Sequence, residues 1–121
     1  VPANSILFIS RVGVGKLAVS TEEVCTSQDF TNFTPLKDHL EYLGYYFTFN
    51  QNLLKRYAQG TSIKGITSQE LKKIAVSRPS IPEQTKIANF LSAIDRKIGS
   101  ITTQFTDTQT FKKGLLQQMF V

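Results

Sequence analysis

Apolar residues in the last third of the chain recur at Ile87, Leu91, Ile94, Ile98, Ile101 and Phe105, in steps of four, three, four, three and four. That alternation is a heptad seam, with Leu91, Ile98 and Phe105 in one column and Ile87, Ile94 and Ile101 in the other. Thr108 and Lys112 would come next, so the seam weakens there and resumes nearby at Phe111, Leu115 and Met119. Upstream, Pro82 suits the first turn of a helix, where its missing N–H costs nothing. Ser80 is an N-cap candidate, and Glu83 is well placed against the positive end of the helix dipole. A helix of nearly forty residues is about 58 Å long, more than one small globule covers. The plainer reading of its first half is an amphipathic helix lying on its own domain. The whole seam instead predicts a partner helix, from another copy, another part of the same polypeptide or a separate protein. Gly99 and the threonines between 102 and 110 are poor helix formers, which allows a kink or a frayed zone there.

Before this helix the period is different. Ile6-Leu7-Phe8-Ile9 is a short run of strand formers, Arg11 to Lys16 is a glycine-bearing turn, and Leu17-Ala18-Val19-Ser20 is the returning strand of a hairpin. Residues 24–28 predict a weak strand, and 30–34 alternate apolar and polar as a half-buried strand does, closed by Pro35. Leu36, Leu40, Leu43, Tyr46 and Phe47 then fall at helical spacing, with a second helix around Leu53, Leu54 and Tyr57. Thr67 and Glu70 form a capping box for a short helix, and residues 74–76 predict a last strand. The fold class is therefore α+β: a small, mostly antiparallel β unit with short helices over 1–79, followed by a long coiled-coil helix over 80–121.

Composition narrows the picture. No apolar run approaches the roughly 20 residues of a bilayer-crossing helix, and no secretory pattern opens the chain. Cys25 is the single cysteine, so no intrachain disulfide can form, and a cytoplasmic setting is the default. Its simplest role is a small core residue. The chain opens on Val1 and ends on Phe120-Val121, both apolar, so it reads as a piece of something longer. The net charge is +5, and it gathers in residues 51–80: Lys55, Arg56, Lys64, Lys72, Lys73 and Arg78 stand against Glu70 alone. Such an excess beside the 60–65 loop favours phosphate contacts. Tyr42, Tyr45 and Tyr46 could stack on bases, but aromatics at helical spacing are more simply core.

Candidate chemistry is sparse. Gly13-Val14-Gly15-Lys16 lacks the earlier glycine of a phosphate-binding loop, where Ser10 stands, and its Ser or Thr, where Leu17 stands. One His and one Cys make no zinc set. No carboxylate pair is placed for acid–base work, so the residues predict neither an enzyme nor a cofactor.

Three stretches carry a resemblance. Pro79-Ser80-Ile81-Pro82-Glu83-Gln84-Thr85-Lys86-Ile87-Ala88 is followed by Phe90-Leu91-Ser92-Ala93-Ile94-Asp95-Arg96-Lys97-Ile98 and by Phe111-Lys112-Lys113-Gly114-Leu115-Leu116-Gln117-Gln118-Met119-Phe120. Together they resemble the specificity subunit of type I restriction-modification enzymes. In that family a P-x-x-EQ-x-x-I motif opens the long conserved-region helix and a KKGLLQQMF-like tail closes it. The preceding 60–66 and 71–74 segments and the early Ile6 to Gly13 run are similar to the second half of a target recognition domain.

The resemblance implies a non-catalytic DNA-recognition subunit. Two such domains each read half of a split sequence, and two antiparallel helices set the spacing. The partners it implies are double-stranded DNA, methylation subunits that use S-adenosylmethionine, and restriction subunits that use ATP. Only about 80 residues precede Pro82, so the first half of a recognition domain is absent from this stretch. By this likeness Arg11 and Lys16 flank a turn suited to phosphate contact. Gln28 and Asn32 offer amides for adenine edges, and Thr61, Ser62 and Lys64 offer hydroxyls and an ammonium to phosphate. A rival expectation is an oligomerisation and docking module that does not hold DNA by itself.

Overall fold

A computed structural model of the protein describes residues 1–11, 13–59 and 65–120. It divides into two compact units, Val1–Ala88 and Asn89–Val121. The α+β architecture is as the periodicities predict.

In the first unit, β1 (Ser5–Ile9) and β2 (Leu17–Ser20) form the hairpin, and β3 (Phe30–Phe33) joins on the other side of β1. The sheet order is β2-β1-β3, and both pairings are antiparallel. Ile6 stands opposite Val19 and Phe33, and Phe8 opposite Leu17 and Thr31. The central strand puts Ile6 and Phe8 on the buried face. Ser5 is buried too, because its hydroxyl is satisfied: it donates to the Pro2 carbonyl at 2.7 Å and lies 2.7 Å from Thr34 Oγ1.

Helices α1 (Leu40–Phe49) and α2 (Gln51–Gln59) are separated by Asn50, whose N–H donates to the Tyr46 carbonyl. They cover the sheet in two linked clusters. Ile6, Tyr42, Leu43 and Ala88 form one; Phe8, Leu54 and Ile66 form the other; Leu17, Phe33 and Phe47 border both. Phe33 and Phe47 meet edge to face at 5.4 Å, a favoured aromatic geometry.

Four expectations are corrected. Residues 24–28 form no strand. Val24 instead exchanges two hydrogen bonds with Val1, and Thr26 Oγ1 accepts from Asn32 Nδ2, so side chain and terminus take the place of a ladder. Residues 74–76 form no strand either, because tyrosines of α1 bind that backbone. Tyr42 Oη donates to the Ser77 carbonyl at 2.9 Å; Tyr46 Oη accepts from the Ser77 N–H at 3.2 Å and reaches the Ala75 carbonyl at 3.5 Å. Burial raises the Tyr42 phenol above its ordinary pKa, with Tyr46, Glu83 and Asp38 adding to the effect, so it stays a donor. Leu36 is outside α1 and 95% exposed; the helix begins after His39, whose Nδ1 accepts from the Tyr42 N–H. Cys25 is exposed, not a core residue.

Helix α3 (Ser68–Lys72) carries the predicted capping box. Thr67 Oγ1 accepts from the Glu70 N–H at 3.2 Å, and Glu70 Oε2 accepts from the Thr67 N–H at 2.8 Å. Helix α4 (Ile81–Met119) starts where Ser80 offers its carbonyl to the Gln84 N–H at 2.9 Å. It is helical throughout the Gly99 and threonine zone. There Thr102, Thr103, Thr106, Thr108 and Thr110 each donate to the carbonyl four residues back at 2.7–3.1 Å, giving these poor helix formers a local bond that the helix can accommodate.

The start of α4 is fixed to the first unit by polar contacts. Gln84 is fully buried: its Oε1 accepts from the His39 N–H at 2.8 Å, and its Nε2 donates to Asp38 Oδ1 at 2.9 Å and to the Pro79 carbonyl at 3.0 Å. Arg78 closes on the same carboxylate, Nη2 to Oδ2 at 3.0 Å. The Gln84 bond and then Arg78 hold the Asp38 carboxyl below its ordinary pKa, against the opposing effect of desolvation. Glu70 is lowered as well, by its bonds to Thr67. A carboxyl lowered in the folded state stabilises above its unfolded pKa of about 4 and loses that contribution as pH falls through the folded value. Stability followed by urea unfolding is therefore expected to drop as the pH is taken from about 7 to about 2. Asp38→Asn should have a shallower acid limb than the wild type; an identical limb would remove Asp38 from the account.

Candidate nucleic-acid interface

The hairpin turn is shaped by Gly13 and Gly15, with φ of +85° and +99°. These are left-handed conformations that a side chain disfavours. The turn is closed by the Lys16 N–H on the Gly13 carbonyl at 3.4 Å and by the Ile9 N–H on the Lys16 carbonyl at 3.0 Å. Gly15 is buried, and a Cβ there would lie 3.2 Å from Cγ and Cε of Lys55 and 3.4 Å from the Gln51 carbonyl. The first turns of α2 thus rest on the hairpin turn, and the stem of Lys55 runs across Gly15. Lys16 and Lys55 are both exposed.

On the other flank, the Ile66 N–H donates to the Ser10 carbonyl at 2.8 Å, which brings Gly65 against Arg11. A Cβ at Gly65 would stand 2.8 Å from the Ser10 carbonyl oxygen and 3.6 Å from Arg11 Cα and Cγ. Ser10 ties β1 to Asp29 through its N–H and its hydroxyl, both on the Asp29 carbonyl. The Arg11 guanidinium lies 3.9 Å from the Asp29 carboxylate, each side chain about half exposed. Lys55 of α2 therefore joins Arg11 and Lys16, which stand at the two ends of one turn.

The other sequence-predicted residues fall differently. Gln28 is exposed in the segment before β3. Asn32 is held inward: its Nδ2 donates to Thr26 Oγ1 at 2.7 Å, and its Oδ1 is buried without a hydrogen-bond partner among the described residues. Bidentate pairing with adenine needs the amide oxygen and an N–H at once, and here the oxygen is buried. Thr61, Ser62 and Lys64 lie outside the described residues. Tyr42 is core and Tyr46 holds backbone, so the plainer reading of those aromatics applies. Of the basic residues between 51 and 80, Arg78 is neutralised by Asp38, and Lys72 borders a cavity of about 430 Å³ among Phe8, Phe33, Phe47 and Leu71. The sequence reading missed Lys55 as a companion of the turn. Its charge was visible, but the missing Cβ of Gly15 that seats it is a three-dimensional fact.

The seam residues also separate. Ile87 packs against the Ile6, Tyr42, Leu43 and Ala88 cluster of the first unit, and Leu91 is half-buried. In the second unit Ile94, Ile98, Ile101 and Phe105 are 42%, 56%, 55% and 63% exposed. Phe111, Leu115 and Met119 are exposed as well. No group of His, Cys, Asp and Glu suited to a metal ion occurs among the described residues, and no described helix is long and apolar enough to cross a membrane.

A family model for the type I restriction modification DNA specificity domain matches residues 1–114. The chain is 35% identical over 124 positions to the type I restriction enzyme MjaIX specificity subunit of Methanocaldococcus jannaschii, covering 99% of this chain and 28% of that protein. It is 32% identical over 79 positions to the MjaVIII specificity subunit of the same organism, covering 65% of this chain and 19% of that protein. The chain thus spans less than a third of the length of either curated relative.

Proposed function

The chain belongs to the type I restriction modification DNA specificity domain family, and from that premise we propose that it is a non-catalytic DNA-recognition element of such a system. The first unit holds double-stranded DNA through the hairpin turn. The long helix sets position by associating with a second helix, of another copy or of the same polypeptide. Through these surfaces it places methylation and restriction subunits, which supply the chemistry and its cofactors. A cytoplasmic setting fits the exposed free thiol of Cys25.

The observation that carries this reading is the convergence of Arg11, Lys16 and Lys55 at Gly15 and Gly65. Arginine and lysine gathered at one turn neutralise phosphates and release counterions, so affinity falls with rising salt by a log–log slope of about −0.9 per phosphate. With three such cations, duplex binding by the full 121-residue chain is expected to show a slope near −3, roughly. Binding that does not weaken as salt rises would reject DNA holding by this chain. A second reading, a docking module that does not bind DNA, is favoured by the exposed apolar face at Ile94, Ile98, Ile101 and Phe105, and it would then stand alone.

A further inference from the structure

We infer that Lys55 is a phosphate-contacting residue whose position is set by Gly15. The inference rests on the DNA-holding reading and adds to it a residue and a device that the motifs do not contain. Lysine is ordinarily a poor anchor, because four rotatable bonds let its ammonium wander and ordering it costs entropy. Here the stem has a seat. Cγ and Cε both lie 3.2 Å from the point where Gly15 would carry its Cβ, and Gly15 is itself buried. The methylenes are thus packed on backbone while the residue as a whole is exposed, the arrangement in which an apolar stem is covered and the charged head stays in water.

The φ of +99° at Gly15 belongs to the same device. It turns the chain so that Lys16 follows directly on the seat of Lys55, and two cations from separate elements serve one turn. Arg11, the other cation flanking this turn, lies 3.9 Å from Asp29 with its side chain about half exposed, so it is only loosely held and can still meet a phosphate. Among the described residues no carboxylate is within ion-pair distance of Lys55. A packed stem, an exposed ammonium and no competing carboxylate suit a phosphodiester oxygen. A base edge would instead call for a planar, two-pronged donor.

Lys55→Met keeps the apolar stem and removes the charge. In titrations of the full chain with two duplexes of unrelated sequence, it is expected to reduce the magnitude of the salt slope by about 0.9 and the affinity by about eightfold near 0.1 M salt, equally for both duplexes. Lys55→Arg should restore the slope, and Lys113→Met, in the second unit, should leave it unchanged. If the wild type binds with a steep slope and Lys55→Met matches it, the assignment of Lys55 is overturned while the DNA-holding reading stands. If the loss is confined to one duplex, the phosphate assignment is overturned in favour of a base contact. If the wild type shows no salt-dependent binding, the DNA-holding reading fails and this inference fails with it.

Discussion

Gln84→Glu is expected to destabilise the first unit by about 3–5 kcal/mol, the range seen when a buried charge loses its compensation. The site needs one acceptor and two donors. Oε1 takes the His39 N–H, and the two Nε2 protons go to Asp38 and to the Pro79 carbonyl. Glutamate can supply the acceptor, but it replaces the amide by an oxygen facing a carboxylate and a carbonyl. Ionised, it would place a fully buried charge beside the Asp38 carboxylate, which already has Arg78 as its partner. Protonated, it can satisfy only one of the two acceptors, and each unsatisfied buried group costs about 1–3 kcal/mol. Domains of this size have about 5–15 kcal/mol in total, so the variant should sit near its unfolding threshold. The loss should be larger at neutral pH than at acid pH, where protonation relieves the repulsion. Urea unfolding at two pH values checks both statements. A loss below about 1 kcal/mol would mean that the site rearranges to accept the acid.

Ile98→Asp is expected to abolish association through the long helix. Ile94, Ile98, Ile101 and Phe105 are between 42% and 63% exposed, at steps of four, three and four. Apolar surface of that pattern gains about 25 cal/mol per Å² when a second helix covers it. A carboxylate in the middle of the covered seam would be buried without a partner, at a cost of several kcal/mol. About 3 kcal/mol already raises a dissociation constant more than a hundredfold. Light scattering over a hundredfold dilution should therefore show a dimeric wild type and a monomeric Ile98→Asp. Equal masses for the two proteins would remove the seam as an interface between copies of this chain.

What the sequence made legible was local. The Gly13 and Gly15 turn, the Thr67–Glu70 capping box and the Pro82 helix start each follow from residues within a few positions of one another, and each is present. What it hid were bonds across long separations. Val76 has strand propensity, but nothing in 74–76 tells that hydroxyls 29 to 35 residues earlier will take the backbone on either side of it, at Ala75 and Ser77. Gln84 reads as a polar residue on the outer face of an amphipathic helix; its burial depends on Asp38 and His39, more than forty residues away. The candidate site divides in the same way. Arg11 and Lys16 were legible because the turn is local, whereas Lys55 joins them only through packing on Gly15.

The place where the first unit ends bears on how pieces of such proteins can be exchanged. By its motif the helix begins at Ile81, and a graft of a foreign helix would naturally be cut there. Gln84 and Ala88, both fully buried, belong to the packing of the preceding unit. A junction at residue 80 would import someone else's contacts into that core. A junction after Ala88 carries the whole anchored turn with its own domain, and leaves the seam, the half-buried Ser92 and the solvent-facing positions to be matched.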